Sequence, residues 1–140
     1  MEQRSHLQTS TDLNALSGVL IWFEQLEHSQ INPQFWLECQ LALAEGFTNA
    51  VRHAHGQRSV ETPIELEAIL TSDWLELRIW DCGHPFDLHL KLATLPEKID
   101  VEQEGGRGLK LLQTIADDLR YIRTADQRNC LVIRKQFLKD

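Results

Sequence analysis

The chain has 140 residues, 42% of them hydrophobic, which is enough apolar material for one domain with a core and excludes a disordered polymer. Its 14 Lys and Arg against 21 Asp and Glu leave a net charge of -7, a balance that repels nucleic-acid backbones. No apolar run approaches the roughly 18 residues of a membrane span, and the N-terminal residues lack a secretory pattern, so the expectation is a cytoplasmic protein without membrane or direct nucleic-acid partners, folded as a single domain over 1–140.

In chain order, Arg4 to Ser10 reads as a short edge strand. Thr11 or Asp12 caps a first helix that carries Leu13, Leu16, Leu20, Phe23 and Leu26 at helical spacing and ends near His28. Asn32-Pro33 is a helix start, with Asn as N-cap and Pro at the first helical position. That second helix is expected to run to about His55 and stop at Gly56. Trp36, Leu43, Phe47, Ala50 and Ala54 form its apolar stripe, and Glu38, Ala42, Glu45, Asn49 and Arg52 fall on nearly the opposite side. Glu45 and Asn49 are neighbours one turn apart.

Ile64 to Ala68 alternates with period two, Thr71-Ser72-Asp73 is a tight turn, and Trp74 to Trp80 is the hairpin partner. Asp81 follows on the same face as Leu75, Leu77 and Ile79, so its carboxylate is aimed at the covered side of the sheet and needs a partner. Residues 82–104 read as an extended loop with one helical turn. Gly105-Gly106-Arg107-Gly108 then opens a helix bearing Leu109, Leu112, Ile115, Ala116 and Leu119, and two strands close the chain near Leu119 to Thr124 and Cys130 to Phe137. Helices and hairpins are grouped rather than alternating, which favours an α+β fold: a two-layer sandwich with a mixed, mostly antiparallel sheet of about five strands covered on one face by three helices. Cys39 and Cys130 read as small core residues, and the four tryptophans as core or sheet surface. His84 and His89 read as loop residues rather than metal ligands.

Three segments carry chemistry: Glu45-Gly-Phe-Thr-Asn49-Ala-Val-Arg-His53, Asp81-Cys-Gly83-His-Pro-Phe86-Asp87, and Gly105-Gly106-Arg107-Gly108-Leu109. Each alone is a weak signal, since a Glu and an Asn on one helix face are often solvated, and Asp-x-Gly is usually a turn. In this order and spacing they resemble the N, G1 and G2 boxes of the GHKL ATPase superfamily, which has the Bergerat ATP-binding fold. The likeness is strongest to the bacterial anti-sigma factor serine/threonine kinases and spans nearly the whole chain.

The resemblance implies ATP and Mg2+ as cofactors. It implies that Asn49 coordinates the magnesium, Glu45 is the catalytic general base on the incoming hydroxyl, and Asp81 hydrogen-bonds the adenine amino group. It extends nucleotide binding to His53, Gly83, Phe86, Gly105, Gly106, Arg107, Gly108 and Leu109, with residues 88–104 as the ATP lid. Arg107 reads either as a phosphate contact or as a surface arginine, and His53 either as pocket lining or as a capping or packed side chain. The implied partners are an anti-sigma factor antagonist of the STAS type and a sigma factor, with a homodimer as an assembly common among relatives.

Two departures stand out. Arg128-Asn129-Cys130 occupies the place of a Gly-Thr pair that many relatives carry beside the nucleotide, with Asn129 as a polar substitute. Gly46 stands where many relatives have Ala, which implies close approach of another backbone or of the nucleotide. The alternative function is a non-catalytic ATP-binding module that regulates a partner by contact. A histidine kinase fragment is a third reading, disfavoured because about 30 residues precede the main helix, too few for a dimerising hairpin with an acceptor His.

Overall fold

In the computed structural model, which describes residues 2–56, 58–85, 87–94 and 106–137, the elements are β1 (Gln3–Thr9), a 3-10 turn (Leu13–Ala15), α1 (Leu16–Glu24), α2 (Pro33–Asn49) with a π-helical continuation (Ala50–Ala54), β2 (Ile64–Leu70), β3 (Trp74–Asp81), α3 (Leu88–Thr94), α4 (Gly106–Ile115), β4 (Asp118–Arg123) and β5 (Asn129–Gln136). The strands form one sheet in the order β1-β2-β3-β5-β4, and each of the four pairings is antiparallel. Helices cover one face, giving the α+β architecture read from the sequence.

Local chemistry sets the element ends. The Asp12 carboxylate accepts from Asn14 N–H at 2.9 Å and so caps the 3-10 turn ahead of α1. Asn32 accepts from Gln34 N–H at 2.8 Å and Phe35 N–H at 3.3 Å, with Pro33 at the first helical position of α2. Leu88 and Leu92, four apart in the stretch read as loop, are 3% and 4% exposed. Their burial in the core fixes α3, so the described residues hold four α-helices where three were expected.

Period-two alternation sorts the sheet into two faces. Leu66, Ala68, Leu75, Leu77, Ile79, Leu131 and Ile133 turn toward the helices and pack with Phe23, Leu43, Phe47, Leu109 and Leu112. Trp36 stacks on Phe23 with ring centroids 4.3 Å apart. Ala42, expected on the polar side of α2, is 1% exposed because α2 packs against α4 along that side. Gly46 faces side chains of the sheet and no other backbone among the described residues: a Cβ there would collide with the Ile79 Cδ1 methyl and stand 3.4 Å from Ile133 Cδ1.

The other face of the sheet is a charged lattice. Glu76 is 2% exposed and is held by Arg78 Nε at 2.6 Å and Arg134 Nε at 2.9 Å. Arg134 also lies over the Trp74 ring at 4.0 Å. Among the described residues no helix is long and apolar enough to cross a membrane.

Candidate functional site

The site is built where α2 changes its winding. Asn49 ends the α-helical stretch, and beyond it His55 N–H donates to Ala50 C=O, five residues back, at 2.9 Å. A π-helical turn advances each residue by roughly 80° instead of 100°, so the chain falls behind by most of a right angle over this turn. Ala54, placed on the apolar stripe by α-helical spacing, is therefore only half-buried, and His55 takes the inward position at 1% exposure.

Glu45 and Asn49 are both half-buried on the side of α2 that meets α4. A Cβ built on Gly108 would stand 2.7 Å from Glu45 Oε2, so the Glu45 carboxylate lies against the backbone of the first turn of α4. Glycine at this position is what lets helix and carboxylate approach so closely. The glycine-rich segment is thus part of α4 from Gly106 onward, rather than a loop preceding the helix. Leu109 turns into the core at 2% exposure.

Asp81 ends β3 on the helix-covered side, 2% exposed, as its strand parity required. Its Oδ1 accepts from Gly83 N–H at 2.9 Å and from Asn129 Nδ2 at 2.9 Å, and its Oδ2 accepts from the Tyr121 hydroxyl at 2.7 Å. These donors are neutral. An ionised carboxylate offers about four acceptor positions, so among the described residues one at Oδ2 is left for a further donor. Burial, reinforced by the bond to Asp81, pushes the Tyr121 phenol well above its ordinary value, so it stays protonated and donating.

Asn129 stands directly across from Asp81 in the β3–β5 register and from Arg123 in the β4–β5 register. Fully buried, it donates from Nδ2 to Asp81 and to Gly83 C=O at 2.8 Å, while its Oδ1 accepts from Arg123 Nη1 at 3.2 Å. Arg123 Nη1 also reaches Gly83 C=O at 3.3 Å. The tight Thr124–Arg128 hairpin, with Gln127 at φ 65, sets this register.

The two halves of the site meet at Gly83. A Cβ there would stand 2.6 Å from the Ala54 carbonyl oxygen, so the Asp81-Cys82-Gly83 turn rests on the π-helical turn that follows Asn49. Asp81 and Asn49 therefore lie on the same side of the sheet.

Of the other residues singled out by motif, Phe86 and Gly105 lie outside the described residues, as do lid residues 95–104. His53 belongs to the π-helical turn and Arg107 to the first turn of α4, and their side chains are likewise outside the described set. The described part of the lid, residues 88–94, is the anchored helix α3. His84 and His89 are exposed, and Cys39 and Cys130 are buried free thiols, each pushed up to about 12 by burial. Sequence reasoning missed Tyr121 and Arg123, although β4 alternation with Leu119 placed both on the inner face. It also missed His55, whose orientation depends on the π-helical turn.

A family model described as "Histidine kinase-like ATPase domain" matches residues 9–135, nearly the whole chain. The chain belongs to this family of ATPase domains. The match bears out the GHKL resemblance carried by the three motifs. Among curated proteins it is similar to serine-protein kinase RsbW of Listeria monocytogenes serovar 1/2a, 33% identical over 89 residues that cover 59% of this chain and 55% of the relative. RsbW of Bacillus licheniformis is 35% identical over 89 residues, covering 59% and 54%, and RsbW of Staphylococcus epidermidis is 33% identical over 87 residues, covering 59% and 55%. The chain thus matches just over half the length of these curated relatives.

The chemistry of the residues singled out by motif can be set against what a magnesium nucleotide requires. Among the described residues, no group of three or more His, Cys, Asp or Glu side chains is placed to hold an ion by itself. What α2 offers instead is one amide oxygen at Asn49 beside one carboxylate at Glu45, facing the backbone of α4. Magnesium favours such sites, where phosphate and water oxygens complete the shell.

Proposed function

We propose that this chain is an ATP-dependent protein serine/threonine kinase that acts as an anti-sigma regulatory factor, phosphorylating an antagonist protein in a cytoplasmic partner-switching module. The observation that carries this reading is the approach of Glu45, one helical turn before Asn49, to the first turn of α4, together with the Gly83–Ala54 contact that sets the turn after buried Asp81 against the end of α2. The serine-protein kinase names of the relatives support it.

In this reading the adenine amino group donates to the remaining acceptor position of Asp81 Oδ2, at the pocket floor. Tyr121 and Asn129 hold that carboxylate in one orientation. A site whose carboxylate must be satisfied by an amine discriminates adenine from guanine, which presents a carbonyl there. Asn129 therefore does in this chain the anchoring expected of the absent Gly-Thr pair. The N-terminus of α4 directs backbone N–H groups and the positive end of its dipole toward the phosphates. Asn49 would hold magnesium through its side-chain oxygen, and the ion when bound neutralises phosphate charge.

Glu45 acts on the incoming serine or threonine. Its carboxylate takes the hydroxyl proton as the hydroxyl oxygen bonds to the γ-phosphorus and the bond to the ADP oxygen breaks. Positioning and charge neutralisation supply most of the rate in such transfers, and a positioned base contributes about 10²- to 10⁴-fold.

The test is transfer of labelled γ-phosphate from ATP to a STAS-type antagonist. Wild type transfers, and Glu45→Ala falls by about 100-fold or more while retaining ATP affinity. Equal transfer by both proteins removes Glu45 from the base role. Tight Mg-ATP binding without transfer by wild type leaves a non-catalytic nucleotide-binding regulator.

A further inference from the structure

We propose that His55 is a positioning residue for the nucleotide site: as a neutral imidazole it clamps the Asp81-Cys82-Gly83 turn to the end of α2, and the chain holds Mg-ATP well only while that ring is uncharged. The inference rests on the kinase reading and adds a residue that none of the three motifs contains.

The ring joins three segments far apart in the chain. Cys82 N–H donates to His55 Nε2 at 2.7 Å, and His55 Nδ1 lies 2.8 Å from Thr11 Oγ1. Thr11 spends its own proton on Thr62 C=O at 2.6 Å, and its backbone N–H is held by Val60 C=O at 2.9 Å. The tautomer is therefore fixed from both ends: Nδ1 carries hydrogen and donates to Thr11, and Nε2 has none and accepts from Cys82.

A second proton has only Nε2 to go to, where it would face the Cys82 N–H, donor against donor. With the ring 1% exposed, no water is at hand to absorb the conflict, so the turn or the ring must move. That turn is the one that presents Asp81 Oδ1 to Gly83 N–H and the Gly83 carbonyl to Asn129 and Arg123. Displacing Cys82 thus disturbs the carboxylate proposed to read adenine.

Among the described residues, the charged groups that act on the ring are Asp81 from β3 and Arg58 from the segment after the π-helical turn, and Cys82 meets it through its backbone N–H. Burial lowers the His55 pKa below the usual histidine value, and Arg58 acts in the same direction, against the attraction of Asp81. The unfolded chain takes up this proton near the ordinary histidine value of about 6.5. The ring's contribution to stability is therefore complete above that pH and declines as pH falls toward the lower folded-state midpoint.

A purely structural histidine and a positioning one differ in linkage. If protonation loosens the nucleotide site, then nucleotide must oppose protonation and push the His55 midpoint lower still. Phosphate charge acting on a bystander ring would push it up.

The experiment is a pH titration of the His55 ring by NMR on the full chain, free and saturated with Mg2+ and a non-hydrolysable ATP analogue, with calorimetry of the same ligand at pH 7.5. The expected result is an Nδ1–H tautomer above pH 6.5 and a midpoint that falls by about half a pH unit or more with ligand, equivalent to at least about threefold weaker binding by the protonated form. His55→Gln, whose amide supplies both an acceptor and a donor, keeps affinity at pH 7.5 within about threefold, whereas His55→Leu loses about tenfold or more. Cys82 is half-buried while the other two thiols are buried, so a thiol reagent reports on the turn directly: Cys82 labels faster in His55→Leu than in wild type.

A midpoint that stays put or rises with ligand overturns the proposal, whether or not His55→Leu folds. So does unchanged affinity in a folded His55→Leu. No ligand binding by wild type at pH 7.5 overturns the kinase reading as well, and calorimetry alone distinguishes that outcome.

Discussion

Strand β3 carries two acidic side chains that are each 2% exposed, one on either face of the sheet, and they are satisfied in opposite ways. Glu76, on the face opposite the described helices, is bound by two guanidinium groups, with Arg78 Nε at 2.6 Å and Arg134 Nη2 at 2.8 Å. Asp81, under the helices, accepts from a backbone N–H, an amide and a phenol. A carboxylate neutralised by arginines is a closed network with little to offer a ligand. One held by neutral donors is fixed in orientation without a guanidinium bound to it and, among the described residues, has an acceptor position left over, which suits recognition of an amine. Burial alone therefore does not set Asp81 apart from Glu76; the nature of the donors does.

Substitutions sharpen this contrast. Glu76→Ala leaves two arginines facing each other across β3 and β5. Because each retains a 35% exposed side chain, the loss of stability is expected at about 2 kcal/mol rather than the full cost of a buried unpaired charge. Urea unfolding checks this, and Mg-ATP affinity of the folded variant stays as in wild type. A lesser effect of a different kind is expected for Asn129→Ala, which removes one donor from Asp81 and one from Gly83 C=O. Its Mg-ATP affinity falls about tenfold, the worth of one or two hydrogen bonds, and competition binding measures it. Equal nucleotide affinity losses in both variants would erase the distinction between the two faces.

Much of this arrangement was legible in the residue pattern, because its causes are local. Strand parity from Leu75 to Ile79 fixed the side on which Asp81 emerges, and Asn32-Pro33 fixed where α2 begins. The i, i+4 spacing of Glu45 and Asn49 put both toward one neighbour. The remainder depends on contacts between distant segments. Asn129 reaches Asp81 only through the β3–β5 register, which the Thr124–Arg128 hairpin sets. His55 turns inward only because the helix widens after Asn49, a change that α-helical spacing cannot express. Gly46, where the sequence implied close approach of a backbone or of the nucleotide, has the Ile79 side chain of the facing strand against it. Leu88 and Leu92 carried a helical signal, but the charges and prolines around them masked it.

The central claim is that buried Asp81 forms the floor of a nucleotide pocket that it shares with Glu45 and Asn49. Titration calorimetry of Mg-ATP into wild type and Asp81→Asn tests it most directly, with circular dichroism to confirm that both are folded. The account predicts one site per chain in wild type and an affinity about 100-fold weaker in Asp81→Asn, the cost of losing a charged acceptor. Unchanged affinity in the folded variant would contradict it.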